Sequence, residues 1–206
     1  MDLQLTIDIN IQKSIERELD NVVNMMNPDM ALAVVMNPKT GEVLGMSSRP
    51  TFDPNNYKNY SNETLSRNLP IWASYEPGST QKIITTAASI EEKVIDIYNE
   101  HFYDSGGVTV DGARIGCWKA GGHGDQTFLQ VLQNSCNPGF VQMGERLGKE
   151  RLFSYLDMFG FGNKTGIDLN GEGKGIIFPL SRVGNVELAT TAFGQGISVT
   201  PIHLTV

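Results

Sequence analysis

The sequence has few cysteines, an excess of acidic over basic residues and no long apolar run, and each shortage narrows the class of protein. Two cysteines, Cys117 and Cys136, among 206 residues are too few for a disulfide framework. A net charge of −7 argues against nucleic acid as a partner, because phosphate binding requires clustered Lys and Arg. No apolar run reaches the roughly 18 residues of a membrane-spanning helix.

What remains is an ordinary globular composition, with 40% hydrophobic and 19% charged residues, whose patterning predicts an α+β chain with more helix than strand. Alternating apolar residues predict a strand over 3–8 and two β-hairpins over 30–48 and 106–118. Residues 49–74, rich in Asn, Ser and Pro, are predicted to form a long surface loop. Apolar residues at helical spacing predict helices over 11–26, 79–92, 127–135, 140–148, 149–161 and 186–196. The two hairpins are expected to supply the only sheet.

The segment YEPGSTQK, residues 75–82, places Ser79 and Lys82 three residues apart at the start of a predicted helix. This spacing brings two side chains onto one helix face, with Cβ atoms about 5–6 Å apart. A serine hydroxyl needs a base to become a nucleophile, and a lysine can be that base when burial lowers its pKa. The apolar residues after Lys82 favour such burial. The alternative is a helix-capping serine followed by an ordinary surface lysine.

A second polar cluster, Ser135-Cys136-Asn137, follows at the end of another predicted helix. A nucleophile and its base need a group that passes the proton to the leaving group and an amide that holds the substrate. Ser135 is a candidate for the first task and Asn137 for the second. Taken alone, the Asn-Pro-Gly sequence that begins at Asn137 is equally typical of a simple turn.

Several motifs in combination resemble the transpeptidase domain of class B penicillin-binding proteins. An S-x-x-K followed by S-x-N is part of the signature of penicillin-binding proteins and class A β-lactamases. The longer stretches that carry the resemblance are LTIDINIQ, NPKTGEVLGMSS, YEPGSTQK, SCNPGF, FGFGNKTGIDLNGE and TTAFGQG. GCWKAGGHG, which precedes SCNPGF, resembles the sporulation-specific branch of the family. The resemblance covers essentially the whole chain.

The resemblance implies a serine acyl-enzyme mechanism with four catalytic side chains. Ser79 would be acylated by the D-alanyl-D-alanine end of a peptidoglycan stem peptide, and its backbone N–H would supply half of the oxyanion hole. Lys82 would deprotonate Ser79, Ser135 would relay protons and Asn137 would bind the substrate amide. An amine from a second stem peptide would resolve the acyl-enzyme, and β-lactams would acylate the same serine.

The resemblance also implies a fold of helices around an antiparallel sheet, whose third motif, K-T-G, lies on an edge strand downstream of S-x-N. Lys39-Thr40-Gly41 precedes the nucleophile and Lys164-Thr165-Gly166 lies in a Gly-rich loop, so neither fits that position. Residues 1–206 are therefore expected to be a partial domain that lacks the anchor, the pedestal domain and the C-terminal strands carrying the motif. We expect this segment to need the downstream part for full activity.

The implied setting is the extracytoplasmic face of the cell membrane, in cell-wall or spore-cortex synthesis. A lipid-linked glycosyltransferase is the implied protein partner, and no organic cofactor is expected. Two alternatives share the fold: a β-lactamase that hydrolyses the acyl-enzyme, and a sensor that acylates without cross-linking. Persistence of the penicilloyl adduct would distinguish the hydrolase from the transpeptidase.

A metal site is also predicted, because Cys117, His123 and Cys136 are residue types that bind zinc, and closed zinc sites have four ligands. If the 106–118 hairpin turns at residues 111–112, Gly106 faces Cys117, and Asp104 lies one diagonal step away on the same sheet face. Asp125, two residues after His123, is the competing fourth ligand. The alternatives are two buried free thiols or a disulfide in an oxidising compartment.

Overall fold

The structure is a computed structural model that describes residues 2–206, and the chain divides into two compact units. The first unit comprises the chain up to Ser74, Lys164–Lys174 and Thr200–Val206. The second comprises Tyr75–Asn163 and Gly175–Val199. Among the described residues, no helix combines the length and the apolarity needed to cross a membrane.

The first unit is built on a β-hairpin covered by a long helix. Its elements are α1 (Ile9–Met26), β1 (Ala31–Met36), β2 (Val43–Arg49), α2 (Asn62–Ser66) and α3 (Leu69–Trp72), with 3₁₀ turns at Pro54–Asn59 and Pro201–Leu204. Gly45 lets α1 approach β2, since a Cβ on this glycine would lie 2.6 Å from Cδ1 of Ile15. Arg49 pairs with Glu16 and Asp20 of α1, which fixes the helix along the hairpin. The predicted hairpin and first helix are thus confirmed.

Two sequence predictions for this unit are wrong. Residues 3–8 form no strand, because only Thr6 and Asp8 hydrogen-bond to the neighbouring β2 region and no ladder develops. Asp8 instead caps α1, with its carboxylate accepting from two backbone N–H groups, so the helix begins earlier than residue 11. The stretch 49–74 contains three short helical segments rather than an irregular loop, each capped by a polar side chain or started by proline.

The second unit packs helices around short antiparallel strand pairs. Its elements are α4 (Lys82–Glu91), β3 (His101–Asp104), β4 (Gly107–Val110), β5 (Ala113–Gly116), β6 (Gly124–Thr127), α5 (Phe128–Gln133), α6 (Asn137–Met158) and α7 (Asn185–Thr191), with 3₁₀ turns at Gly78–Gln81 and Leu180–Arg182. Phe102, Val131, Phe140 and Met143 are buried at the centre of its core. Gly148, with φ of 74°, interrupts α6 where the sequence predicts a boundary between two helices.

The strand pair β3–β6 was not predicted from the sequence. The 106–118 hairpin is confirmed as β4–β5, but β3 and β6 form a further antiparallel ladder that brackets it, with Asp104 opposite Gly124. Each strand has only four residues, and five of the eight positions carry polar side chains: His101, Asp104, Asp125, Gln126 and Thr127. Such a segment lacks the apolar alternation by which strands are recognised. This ladder nevertheless positions much of the candidate metal cluster.

Candidate active site

Ser79 lies in the 3₁₀ turn that leads into α4, and Lys82 is the first residue of that helix. Gly78 adopts φ of 55°, a backbone conformation that glycine tolerates, and it turns the chain into the helix. Ser79 remains exposed, whereas Lys82 is only 5% exposed. An accessible serine therefore lies three residues before a buried amine, the combination that the sequence predicts.

Lys82 directs its amine at the turn formed by Ser135 and Asn137. Its Nζ donates to the carbonyl oxygen of Ser135 at 2.9 Å, to Oγ of Ser135 at 2.9 Å and to Oδ1 of Asn137 at 2.7 Å. Oγ of Ser135 in turn donates to Oγ of Ser79 at 3.0 Å. Ser135 therefore links the amine to the nucleophile, and the four predicted catalytic side chains meet at one place.

Ser135 adopts the left-handed backbone conformation, with φ of 49°. This region is uncommon for residues other than glycine and marks local strain that the surroundings must hold in place. The conformation allows Ser135 to present both its carbonyl oxygen and its hydroxyl to the same lysine amine. The sequence indicated this serine but not its backbone geometry.

Burial lowers the pKa of Lys82 from 10.5 to about 8, because an ammonium group loses solvation inside the protein. Negative charge on the neighbouring sulfurs of Cys136 and Cys117 would act in the opposite direction. The ring of Phe140, whose centroid is 5.0 Å from Nζ, is an aromatic face that favours the cation. Desolvation outweighs these effects, so a sizeable fraction of the amine is neutral near pH 8.

The turn at residues 192–196 holds the nucleophile loop from another side. The N–H of Gly78 donates to the carbonyl oxygen of Gly194 at 2.9 Å, and Glu76 accepts from the N–H of Gly196 at 2.8 Å. A Cβ at Gly194 would lie 2.0 Å from the carbonyl oxygen of Gly78, so only glycine fits there. These contacts give TTAFGQG a physical role in fixing Ser79.

Both K-T-G sequences lie in the first unit, whereas the four predicted catalytic side chains lie in the second. Lys39-Thr40-Gly41 forms part of the turn between β1 and β2. In the other copy, the N–H and hydroxyl of Thr165 donate to Oε1 of Glu172 at 2.7 and 2.6 Å, and the N–H of Gly166 donates to Oε2 at 3.3 Å. The buried Glu172 carboxylate thus accounts for the polar groups of this loop as local structure.

Four side chains form a second polar cluster beneath the S-x-N turn. The possible ligand atoms of Asp104, Cys117, His123 and Cys136 all lie within 4.8 Å of one another. Oδ2 of Asp104 is 3.0 Å from Nδ1 of His123 and 3.4 Å from Sγ of Cys136, and Nδ1 of His123 is 3.3 Å from Sγ of Cys117. Ligands at zinc bond lengths of about 2.0–2.3 Å in a tetrahedron are about 3.3–3.8 Å apart. The three short distances lie close to or below the lower end of this range, so small side-chain shifts would let the four atoms hold one zinc ion.

The predicted route by which Asp104 reaches the cluster is only partly right. Gly106 does face Cys117, whose N–H donates to the carbonyl oxygen of Gly106 at 3.1 Å. Asp104, however, belongs to β3 and is brought beside His123 by its pairing with β6. Asp125 is exposed on the opposite face and pairs with His101 at 2.7 Å, so the structure does not bring this competing ligand into the cluster.

The ionisable groups of the cluster depend strongly on one another. Burial alone would raise the pKa of Asp104, but hydrogen bonds from Cys117, Gly106 and His123 hold it well below its usual range. Burial, aided by the Asp104 carboxylate, raises the pKa of Cys117 to about 11 and also raises that of Cys136. Without a metal the thiols therefore stay protonated beside a buried carboxylate.

Side chains that the sequence did not single out connect this cluster to the catalytic turn. Nε2 of Gln126 donates to Sγ of Cys136 at 3.3 Å, and its Oε1 accepts from Nδ2 of Asn134 at 2.8 Å. Nε1 of Trp118 donates to the carbonyl oxygen of Asn134 at 2.8 Å. The residue before Ser135 is thus held from two sides. No sequence motif indicates this role for Gln126, in a short strand, or for Trp118, in a Gly-rich loop.

An exposed serine linked through a second serine to a buried lysine defines a serine acyltransferase site. The chain belongs to the family described as the penicillin binding protein transpeptidase domain, whose model matches residues 31–205. The family resemblance and the fold class read from the sequence are thereby confirmed.

Known relatives and structures agree with this assignment. The chain is 62% identical over 203 residues to the stage V sporulation protein D of Bacillus subtilis (strain 168), covering 98% of this chain and 31% of that protein. It is 32% identical over 206 residues to the peptidoglycan D,D-transpeptidase FtsI of Escherichia coli (strain K12), covering 98% and 34%. Penicillin binding protein 3 of Mycobacterium tuberculosis, complexed with aztreonam, has a TM-score of 0.88 at 30% identity, covering 98% of this chain and 45% of that one. The chain spans about a third of the length of these curated relatives.

Proposed function

We propose that this chain carries the acylation site of a peptidoglycan D,D-transpeptidase that also reacts with β-lactams. The observation that carries the proposal is the hydrogen-bonded chain from Lys82 through Ser135 to Ser79. An active serine requires a base within reach, directly or through one relay group. Membership of the transpeptidase family supplies the reaction class.

The proposed chemistry uses the hydrogen-bonded chain in the reverse direction. When Lys82 is neutral, Ser79 donates to Ser135 and Ser135 donates to the amine. Ser79 Oγ then attacks the carbonyl carbon between the two D-alanines and its proton moves through Ser135 to Lys82. The terminal D-alanine leaves as an amine after taking up that proton along the same path. Attack by the amine of a second stem peptide on the ester forms the amide cross-link and breaks the ester bond, and the proton that the amine loses passes through Lys82 and Ser135 to Oγ of Ser79.

Asn137 has a supporting part in this scheme. Its Oδ1 accepts from Lys82, which fixes the amide plane, so its NH₂ group is free of that bond and can hold a substrate carbonyl. The backbone N–H of Ser79, at the start of the helical turn, is the proposed oxyanion donor. Loss of one such donor typically lowers the rate about 10²–10³-fold.

The finer biological setting is also a proposal. We infer action on the outer face of the cell membrane, with stem peptides as substrates and a lipid-linked glycosyltransferase as partner. The sporulation-specific motif GCWKAGGHG and the 62% identity to a sporulation protein support a role in spore-cortex synthesis.

Acylation of Ser79 is the direct test of the proposed function. After incubation of the full-length domain with a β-lactam, intact-mass and peptide mass spectrometry should place one adduct on Ser79. Ser79→Ala should abolish it, while Ser74→Ala, a matched change at an exposed serine nearby, should not. An adduct that persists for hours supports a transpeptidase, whereas rapid release would favour a β-lactamase. Retention of the adduct in Ser79→Ala would refute the assignment.

We also propose a structural zinc site formed by Cys117, His123, Cys136 and Asp104. The support is geometric: four ligand atoms of suitable types converge, and the side chains of His123 and Asp104 are only 4% and 1% exposed. Such a complete ligand set leaves no position for a reactive water, so the ion would stabilise the fold. Because Cys136 separates Ser135 from Asn137, the ion would tie the S-x-N turn to the β4–β5 hairpin.

Elemental analysis tests this site. Protein purified without added metal should contain about one zinc per chain. Cys136→Ser should lose the metal and lower the free energy of unfolding, whereas Asp125→Asn should keep the metal, since Asp125 points away from the cluster. Bound zinc should be released as the pH falls and protons compete for the thiolates and imidazole. Metal-free protein with two titratable thiols would contradict the proposal.

A further inference from the structure

Thr85 lies on α4 three residues beyond Lys82, is fully buried and has no part in the proposed chemistry. Its Oγ1 donates to the carbonyl oxygen of Ala192 at 2.8 Å, across 107 positions of sequence. Ala192 caps the C-terminal end of α7, where helix carbonyls lose their intrahelical partners. A hydroxyl on the helix that carries the nucleophile therefore satisfies the end of a second helix.

The segment that carries the predicted nucleophile and base is tied to the turn after α7 at both of its ends. Before the nucleophile, the N–H of Gly78 donates to the carbonyl oxygen of Gly194 at 2.9 Å. Beyond the base, Thr85 donates to Ala192, two residues earlier in the same turn. Two attachments on opposite sides of the reactive pair fix the rotation of this helical segment as well as its position.

The turn at residues 192–194 is itself firmly held. The N–H of Ala192 donates to the carbonyl oxygen of Leu188 at 3.1 Å, and that of Gly194 donates to Thr191 at 3.0 Å. Ala192 is fully buried, and a Cβ at Gly144 of α6 would lie 2.5 Å from its Cβ, so α6 packs closely against it. The turn therefore offers α4 a fixed support.

Gln81, from the same S-T-Q-K sequence, is fully buried and lies against the Thr85 hydroxyl. Its Nε2 is 3.4 Å from Oγ1 of Thr85, and within residues 2–206 its Oε1 has no hydrogen-bond partner. Because the single hydroxyl proton of Thr85 goes to Ala192, the Thr85 oxygen accepts from the Gln81 amide and sets its orientation. Polar groups buried at such a cost, where apolar side chains would fill the space, indicate a role beyond packing.

We propose that Thr85 is a positioning residue for acylation, which holds Ser79 in place by bonding α4 to Ala192. This inference rests on the proposed function. Thr85 touches no reacting atom and acts through the helix, because the 3.0 Å contact between Ser79 and Ser135 depends on where α4 lies. A small displacement of a nucleophile slows its reaction strongly. Loss of the hydroxyl should therefore lower the rate of acyl transfer while leaving the affinity for the unreacted ligand unchanged.

The experiment compares three variants of the full-length domain. Thr85→Val keeps the branched shape without the hydroxyl, Thr85→Ser keeps the hydroxyl, and Ile84→Val is the control at a neighbouring buried position of α4. Stopped-flow acylation by a chromogenic β-lactam at several concentrations separates the Kd of the unreacted complex from the acylation rate constant. Thr85→Val should lower the rate constant about 10- to 100-fold and leave Kd within about twofold. Thr85→Ser should acylate at close to the wild-type rate, and Ile84→Val should lose stability in urea without slowing acylation.

Amide hydrogen exchange measures the attachment of α4 without catalysis. The N–H of Gly78 should exchange faster in Thr85→Val than in the wild type, and at the wild-type rate in Ile84→Val. If Thr85→Val does not fold, Thr85→Ala gives the same comparison.

Two results would overturn the inference alone: an unchanged acylation rate in a folded variant without the hydroxyl, or an equal loss of rate in Thr85→Ser and Thr85→Val. Unchanged exchange of the Gly78 N–H in the folded variant would overturn it as well. A wild type that no β-lactam acylates would instead refute the proposed function, and the inference with it.

Discussion

The pH dependence of acylation should report the unusual pKa of Lys82. An amine with a pKa of 10.5 is neutral in about 0.03% of molecules at pH 7, whereas a pKa of about 8 makes about 9% neutral. Burial therefore raises the concentration of usable base about 300-fold at neutral pH. Between pH 7 and 9 the neutral fraction rises from about 9% to about 90%, so the acylation rate should increase about tenfold and then level off.

The lowered pKa of Lys82 also makes the free energy of unfolding depend on pH. Since the pKa of the folded state is depressed, the unfolded chain holds this proton between pH 8 and 10.5 while the native protein has lost it. The free energy of unfolding contributed by Lys82 therefore rises with pH across that window, by about 3 kcal/mol at about 1.4 kcal/mol per pH unit. Below pH 8 the folded protein holds a poorly solvated ammonium, stabilised by the hydrogen bonds to Ser135 and Asn137.

The assay is stopped-flow or quenched acylation by a chromogenic β-lactam from pH 6 to 10. The wild-type rate should follow a single ionisation near pH 8. Lys82→Arg keeps a positive charge but stays protonated throughout, so its rate should be lower by orders of magnitude and show no inflection near pH 8. A wild-type profile that is flat from pH 7 to 9, or a Lys82→Arg variant of near-normal rate, would show that the base lies elsewhere.

The remaining predictions concern the supports of the site. Gly194→Ala should lower the free energy of unfolding by about 2–4 kcal/mol and slow acylation, because its Cβ would lie 2.0 Å from the carbonyl oxygen of Gly78. Gly160→Ala is the control in urea unfolding, because Gly160 has φ of 82° and no atom within 4 Å of the position of its Cβ. If both variants lose the same free energy of unfolding, the steric clash at Gly194 contributes nothing. For the proposed zinc site, a chelator should remove about one zinc per chain and slow acylation, and an acylation rate that the chelator leaves unchanged would argue against the ion.

Local spacing in the sequence predicted the candidate catalytic residues, and motifs predicted the family. Ser79 and Lys82 are three residues apart on one turn of helix, and Ser135 and Asn137 share one turn of chain, so short-range geometry is enough to pair each set. Bringing the two sets together requires tertiary packing, which the family resemblance supplied. The proposed relay through Ser135 depends on a backbone φ of 49°, which cannot be predicted from the residue type.

The errors arose where tertiary contacts override weak local patterns. Residues 3–8 alternate like a strand, but they make too few hydrogen bonds to the β2 region to form a ladder. Asp8 instead caps the N-terminus of α1. β3 and β6 show little apolar alternation, yet they pair with Phe102 opposite Gln126. Both of these side chains point from the ladder into the buried interior. The sequence predicts Asp104 in the metal cluster from the register of the 106–118 hairpin. In the structure, the register of the β3–β6 ladder brings Asp104 beside His123 instead.

The S-x-N turn, residues 134–137, is held mainly by residues far from it in the sequence. Its conformation could therefore be predicted only in part from the sequence. Asn134 is held by Trp118 and Gln126, Cys136 by Gln126 and Asp104, and Ser135 by Lys82. A strained φ persists only when surrounding contacts determine it more strongly than the local chain does. Those contacts come mainly from the strands and Gly-rich loop of residues 101–127. This region therefore has a physical reason to affect acylation by Ser79 without contributing a reacting atom.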